Sequence, residues 1–204
     1  MASEPVIHVI DDDEAVRDSL SFLLESAGMN VKSYESAKLF LAGLATLEPG
    51  CIVTDVRMPE MSGLELVREL NARACALPVL VITGHGDVPL AVEAMRSGVV
   101  DFIEKPFSDE TILNSLRAAI HRGQDQFEQA TERAAIARRL ASLSTRERQV
   151  LNGLVAGHAN KVVALELGIS PRTVEVYRAN LMIKMQAASL SDLVRMTLSV
   201  ETPR

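Results

Sequence analysis

The 204-residue sequence predicts a doubly wound α/β sheet of five parallel strands, joined by a helical linker to a smaller all-α unit. Three observations carry that expectation. Short apolar, β-prone runs such as Val6–Ile10 and Val79–Thr83 alternate with helix-length stretches through the first 123 residues. These runs end in acids, a hydroxyl or a lysine, and open α/β sheets place their chemistry at the C-terminal ends of strands. From Leu143 onward no strand-like run remains, and the apolar period is helical.

The first strand, Val6-Ile-His-Val-Ile10, runs into Asp11-Asp12-Asp13. Residues 14–28 then carry Val16, Leu20, Leu23, Leu24 and Ala27 at helical spacing, with Gly28 as the stop. Residues 31–34 read as a second strand and 36–47 as a second helix. The third strand is Cys51-Ile-Val-Thr-Asp55, which Pro59 bars from continuing. A helix over 63–74 has Leu64, Leu66, Val67 and Leu70 as its apolar set. Strand 78–82, helix 87–97, strand 100–103 and helix 108–122 complete the repeat. Right-handed crossovers leave few topologies for such units. Among them, the flavodoxin-like order 2-1-3-4-5 sets the ends of strands 1 and 3 side by side.

Residues 124–141 are polar and alanine-rich without Pro or Gly, which predicts a helical linker able to continue the preceding helix. Gly123 opposes that continuity by about 1 kcal/mol of helix propensity. Leu116, Ile120, Phe127, Ala130 and Ala134 could form a seam, but too few heptads follow for a strong coiled coil. Ser144-Thr-Arg-Glu147 is a capping box opening a helix to about Ala156. Asn160 is expected to cap 161–167, and Gly168 to end it. Ser170 should cap a longer helix reaching about Met185, with Pro171 at its first position. A fourth helix spans roughly 189–200. A short helix, a glycine turn and a longer helix make a helix-turn-helix. The expected boundaries are 4–123 for the α/β domain, 124–141 for the linker and 142–204 for the helical domain.

Charge divides along the same line. Within a net charge of −6, residues 1–123 hold 19 acids against 10 Lys and Arg, whereas 124–204 hold 8 against 11. Nucleic acid is an implausible partner for the first part and a plausible one for the second. The start, Met-Ala-Ser-Glu-Pro, has no basic region or cleavage site, and no apolar run of 18 residues could span a membrane. Cys51 and Cys75 form no Cys-x-x-Cys pair and read as inert apolar thiols in a reducing cytosol. The expected location is cytoplasmic.

A lone aspartate at a strand end is more often a cap or turn residue than a reactive group. Asp55 is not alone, because Asp11 and Asp12 end the neighbouring strand. Three carboxylates in one crevice cannot all stay ionised unless a cation joins them. Oxygen-only donors at a strand end suit Mg²⁺. Thr83 closes a further strand, and Lys105-Pro106 closes the last. Acid pair, aspartate, threonine and lysine thus occur in a specific order.

That ordered set resembles the receiver domain of two-component response regulators over roughly residues 4–123. The resemblance implies that Asp55 is the phosphoacceptor, Asp11 and Asp12 the acidic pair, and Thr83 and Phe102 the switch hydroxyl and aromatic. It makes Lys105 the phosphate-binding cation, in a cis bond to Pro106, and Met58-Pro59-Glu-Met-Ser-Gly63 the loop after the acceptor. It also implies Mg²⁺ held by Asp12, Asp55 and the backbone carbonyl of Arg57, with Asp11 acting mainly through bound water. Asp13 reads as a helix-start neighbour rather than a ligand, and His85 as a loop histidine near the site. Gly84-His-Gly86 is not a phosphate-binding fingerprint, since no Gly-x-Gly-x-x-Gly or Lys-Ser/Thr follows.

The C-terminal third resembles a LuxR-type helix-turn-helix. On the helix that starts at Pro171, Val174, Leu181 and Met185 share one face with Tyr177 beside them. Arg172, Thr173, Glu175, Val176, Arg178, Ala179 and Lys184 are left outward. Val176 and Ala179 suit thymine methyls, and Glu175 could accept from a cytosine amino group or simply be solvated. Lys161, Thr173, Arg178 and Lys184 suit phosphates, which position a domain without specifying sequence. In the 87–97 helix, Val88, Leu90, Ala91, Val92, Ala94 and Met95 are apolar around more than one face. This predicts a dimer face at Val88, Leu90, Val92 and Met95, with Leu90 and Val92 as its exposed part.

The whole chain resembles regulators of nitrogen-fixation genes, with Gly84-His-Gly-Asp-Val-Pro89 and Ile169-Ser-Pro-Arg-Thr-Val-Glu175 among the matches. That implies a phosphorylation-activated transcription activator and not an enzyme. It would dimerise when phosphorylated, bind double-stranded promoter DNA, work with RNA polymerase and serve nitrogen-fixation or microaerobic genes. Its partner would be a sensor histidine kinase, an oxygen-sensing haem protein, and no membrane is implied. The alternative is a Mg²⁺-dependent phosphohydrolase acting through an aspartyl-phosphate. The helix-turn-helix and the lack of a substrate-pocket insertion count against it. An adaptor that is never phosphorylated is disfavoured by the complete acceptor chemistry.

Overall fold

The computed structural model describes residues 4–84 and 88–201, and the chain divides into two compact units, Met1–Phe127 and Glu128–Arg204. Glu201 is described for its backbone only. Expectations for His85 and for Gly86 fall outside the described residues.

In the first unit, β1 (Val6–Ile10), β2 (Asn30–Tyr34), β3 (Gly50–Asp55), β4 (Val79–Thr83) and β5 (Asp101–Glu104) form one parallel sheet in the order β2-β1-β3-β4-β5. Helices cover both faces, which is why the central strands read as continuous apolar runs rather than alternating ones. On one face Ile7, Val9, Cys51, Val53, Leu80 and Ile82 pack with Leu20 and Leu24 of α1 (Glu14–Ser26) and with Ile112 and Leu116 of α5 (Asp109–Ala141). On the other, Ile10, Ile52 and Val81 meet Phe40 of α2 (Ala37–Ala42), Leu66 and Leu70 of α3 (Gly63–Ala72), and Ala94 of α4 (Val88–Arg96). His8 is fully buried, held by the Tyr34 hydroxyl at 3.2 Å and the Glu48 carbonyl at 3.1 Å. Burial pushes the pKa of its ring down.

One local expectation needs correction here. The helix expected over 36–47 stops at Ala42, with Gly43 as its C-cap and a single 3₁₀ turn at Leu44–Thr46 after it. Glycine has no side chain to pack and loses more backbone freedom in a helix than any other residue, so the chain changes pitch there. The linker continues the preceding helix despite Gly123, for α5 runs unbroken from Asp109 to Ala141. A methyl at Gly123 would come within 3.2 Å of the Pro78 ring, so close packing favours glycine at that point.

The second unit contains the C-terminal part of α5 together with α6 (Thr145–Val155), α7 (Asn160–Leu167), α8 (Pro171–Met185) and α9 (Leu190–Glu201). Its core joins Ile136 to Val150, Leu151, Val163, Val174, Leu181, Met185 and Leu193. Ser144 and Glu147 form the capping box of α6, and Ser170 caps α8 with Pro171 at the first turn. Asn160 does not cap α7: it is the first helical residue, and Ala159 precedes it without a side-chain bond. Gly168 ends α7 at φ 64°, a left-handed conformation that glycine adopts at no steric cost. Among the described residues no helix is long and apolar enough to cross a membrane.

Candidate phosphoacceptor site and nucleic-acid interface

Register brings the candidate site together. Ile10 pairs with Thr54, so Asp11 and Asp55 come next on adjacent parallel strands. Thr83 pairs with Glu104, so Lys105 follows at the same end of the sheet. The strand order reverses between β1 and β3, the switch point at which doubly wound sheets open a crevice. The Lys105 ammonium lies in that crevice, 3.1 Å from Asp11 Oδ2 and 3.0 Å from Asp55 Oδ1, with its bond to Pro106 cis.

The acids are held from behind. Asp11 is 5% exposed, and its Oδ1 accepts the Asp13 amide at 2.9 Å. Asp55 Oδ2 accepts the Arg57 amide at 2.6 Å. Asp13 itself caps α1, accepting from the amides of Ala15 and Val16. Burial raises the Asp11 pKa, and the bonds from Asp13 and Lys105 offset only part of that effect. Burial also draws the Lys105 ammonium down, but the two carboxylates outweigh it and the net direction is up. A cleft of about 790 Å³ opens beside the pair, lined by Ala15, Ser19, Phe22, Pro106 and Phe107 among others.

Asp12, the next residue, is exposed and lines a shallow depression with Arg57, Met58 and Ser62. Of the three carboxylates expected together, Asp11 and Asp55 are bridged by Lys105. Among the described residues no three His, Cys, Asp or Glu side chains could hold a metal by themselves. Thr83 is completely buried, and Phe102 is half-buried against the core beneath α3 and α4. Ser62 and Glu65 form a second capping box, which starts α3 directly after the acceptor loop.

In the second unit, Arg172, Glu175, Val176 and Ala179 lie exposed on α8, and Lys161 is exposed on α7. Arg178 is half-buried. So is Thr173, whose hydroxyl sits 2.8 Å from that of Ser170. Lys184, near the C-terminal end of α8, is exposed but already engaged. Its ammonium bonds Glu147 Oε2 at 2.8 Å, because that carboxylate is buried and needs a cation. Bonds from Lys184 and from Ser144 hold the Glu147 carboxyl down at about 2. The Glu147–Lys184 link was not foreseen. A capping-box glutamate 37 residues from a lysine carries no sequence signal of contact.

On α4 the exposed large apolar residues are Val88, Val92 and Met95, at 77%, 45% and 53%. Leu90, expected to be exposed, is instead half-buried against the core, one turn before the buried Ala94. The exposed apolar set therefore follows positions 88, 92 and 95, one stripe of the helix.

Comparison with known proteins agrees with this division. The family described as the response regulator receiver domain matches residues 7–117, and the LuxR family of bacterial regulatory proteins matches residues 141–197. The chain belongs to the two-component response regulators, as a DNA-binding transcription regulator with a LuxR-type output domain. That family is one of regulators and not of enzymes, so a phosphohydrolase is not favoured. Over nearly its whole length the chain is similar to FixJ. The transcriptional regulatory protein FixJ of Azorhizobium caulinodans is 60% identical over 192 residues, spanning 94% of this chain and 91% of the relative. FixJ of Bradyrhizobium diazoefficiens is 52% identical over 198 residues, 97% of each chain. Among solved structures, response regulator StyR aligns with a TM-score of 0.84 at 37% identity, covering 96% of this chain and 99% of StyR. Full-length FixJ from B. japonicum gives 0.62 at 51% identity, covering 99% and 100%.

Proposed function

We propose that Asp55 accepts a phosphoryl group from a sensor histidine kinase, and that the modified receiver turns on DNA binding by the helical domain. The observation that carries this reading is the single ammonium of Lys105 shared by Asp11 and Asp55 at adjacent strand ends. An Asp55 oxygen attacks the phosphorus of the donor phosphohistidine, the phosphorus–nitrogen bond breaks, and an acyl phosphate remains. Lys105 neutralises a phosphoryl oxygen, and the Arg57 amide fixes the orientation of the carboxylate.

Donor chemistry fits Mg²⁺, because the site offers only oxygen ligands and too few to displace all of the ion's waters. Asp12, Asp55 and the Arg57 carbonyl would hold it, with Asp11 through water. When bound, it supplies charge neutralisation for the transferred group. The buried Thr83 hydroxyl then turns to the phosphoryl group, and Phe102 moves into the volume it leaves.

The functional boundaries in this reading are 4–123 for the receiver, 124–141 for the linker and 142–204 for the DNA-binding domain. Lys161 and Arg178 engage phosphates, with Thr173 beside them. Arg172, Glu175, Val176 and Ala179 face base edges. The phosphorylated protein acts in the cytoplasm as a homodimer on double-stranded promoter DNA and recruits RNA polymerase. The genes serve nitrogen fixation or microaerobic respiration, and the kinase is an oxygen-sensing haem protein. Similarity to proteins named FixJ supports that assignment.

Incubation with acetyl phosphate and Mg²⁺, followed by intact-mass measurement, tests the acceptor. The parent should gain one phosphoryl group and Asp55→Asn none, since an amide is no nucleophile. Equal incorporation in both proteins would remove Asp55 from the role.

A further inference from the structure

Three apolar anchors seat α8 on its scaffold: Val174, Leu181 and Met185 are all fully buried. Apolar contacts of this kind fix which face of a helix points inward. They resist sliding along the axis less strongly, because dispersion is non-directional and spread over many small contacts. Base readout from Arg172, Glu175, Val176 and Ala179 demands better than that, since functional side chains must be held within about 0.5 Å of their working geometry.

The C-terminal turn of α8 carries a directional restraint. Lys184 Nζ lies 2.8 Å from Glu147 Oε2, and that same oxygen accepts the Ser144 amide at 2.8 Å and the Ser144 hydroxyl at 2.9 Å. Glu147 is only 4% exposed. A capping box needs no partner beyond its own serine, and its glutamate belongs at the surface. Here Ser144 stays exposed while its glutamate is buried and completed by a cation from α8. Next to Lys184, the Met185 carbonyl accepts from Arg139 Nη1 of α5 at 3.3 Å. One end of α8 is therefore tied to two other helices of its unit by polar bonds of defined direction.

We infer that Glu147 and Lys184 are a positioning pair for DNA recognition, which sets the axial placement of α8 so that its outward residues reach the bases. Lys184 then acts through Glu147 and not on a DNA phosphate. This rests on α8 being the recognition helix.

Salt dependence separates the two roles, because each phosphate contact contributes about 0.9 to the slope of log affinity against log salt. The full-length protein, treated with acetyl phosphate and Mg²⁺, is titrated onto two duplexes over a salt series. One duplex is selected by the parent from a random-sequence pool, and the other is unselected. Lys184→Gln should leave the slope on the unselected duplex unchanged. It should cut the selected-to-unselected affinity ratio by about tenfold, the size of one lost base contact. Glu147→Gln should do the same although it adds no charge repulsion to DNA, and the double variant should cost no more than either single one. Lys184→Arg, which keeps a cation for Glu147, should recover most of the ratio.

A slope lowered by about one phosphate contact in Lys184→Gln, with Glu147→Gln at parental affinity, would overturn the inference and return Lys184 to the phosphates. Additive losses in the double variant would also overturn it. Thermal unfolding followed by circular dichroism accompanies each titration, and Glu147→Gln, nearly isosteric, keeps the test decisive if Lys184→Gln is unfolded. A parent that selects no duplex at all would instead remove the DNA-reading role of α8, and the inference with it.

Discussion

Lys105 is the residue on which the receiver's charge balance turns. Two carboxylates at neighbouring strand ends would repel one another, and one ammonium serves both. A phosphoryl group on Asp55 changes that balance by adding negative charge at the point where Thr83 ends β4. Thr83 is fully buried, so its hydroxyl cannot answer the new charge without rearranging its surroundings, and Phe102 lies on the adjacent strand. Thr83→Val keeps the shape and deletes the donor. That variant should accept phosphate from acetyl phosphate normally, yet show a phosphorylation-induced gain in DNA binding reduced by about tenfold, within the usual range of coupling between sites. A full gain, read by DNA titration before and after the phosphodonor, would place the switch elsewhere. Most of this site was legible in the sequence because each group closes a different apolar run, and parallel strands bring such ends to one edge. Asp12 was less legible. Sequence order puts it beside Asp11, but the chain bends there after β1, so Asp12 is exposed while Asp11 is buried.

The α3 helix shows how an element serves the site without supplying a reactive group. Its Ser62–Glu65 capping box satisfies the first turn, and the Gly63 amide reaches back to the Val56 carbonyl at 3.0 Å. A methyl on Gly63 would fall 2.2 Å from the Asp55 carbonyl oxygen, which is backbone and cannot swing aside. Gly63→Ala should therefore destabilise the receiver by about 1–3 kcal/mol, as overpacking does. Because the strain lands on the acceptor's own peptide, it should also slow phosphorylation by acetyl phosphate. Denaturant unfolding and a mass-spectrometric time course check both, and parental values in both would show that the loop yields freely. The elements themselves were legible wherever the apolar period ran long, as in α1, α3 and α8. Where a single residue had to decide, the sequence was a poorer guide. Gly43 ends α2, yet Gly123 leaves α5 intact, because close packing against Pro78 outweighs glycine's low propensity. Asn160 has the chemistry of a cap, but the chain enters α7 one residue earlier, at Ala159.

Across the whole molecule the two units carry separate cores, so each should keep its own chemistry when released. A fragment spanning 128–204 should bind duplex DNA without phosphate, with affinity falling as salt rises. With Lys161 and Arg178 as its phosphate contacts, the slope per subunit should be roughly −2. A fragment cut at residue 142 should be less stable, since it lacks Ile136, which is 3% exposed in the core of that unit. Failure of the longer fragment to bind at low salt would mean that the receiver contributes to the DNA surface. The receiver's own contribution, in the function proposed above, would be an interface between copies. Val88, Val92 and Met95 form an apolar stripe on α4, while Leu90 and Ala94 turn inward, so the helix has more apolar surface than its sheet can cover. The stripe belongs to the helix between Thr83 and Phe102, where a switch in either residue can alter its pose. A pair of receivers joined there would present two copies of α8, matching a two-fold DNA site. Val92→Asp places a charge at the middle of the stripe and touches neither Asp55 nor Lys105. Phosphorylation by acetyl phosphate should proceed at the parental rate. In sedimentation velocity the phosphorylated parent should sediment as a dimer and the phosphorylated variant as a monomer. A variant that dimerises as the parent does would move the interface to another face of the receiver.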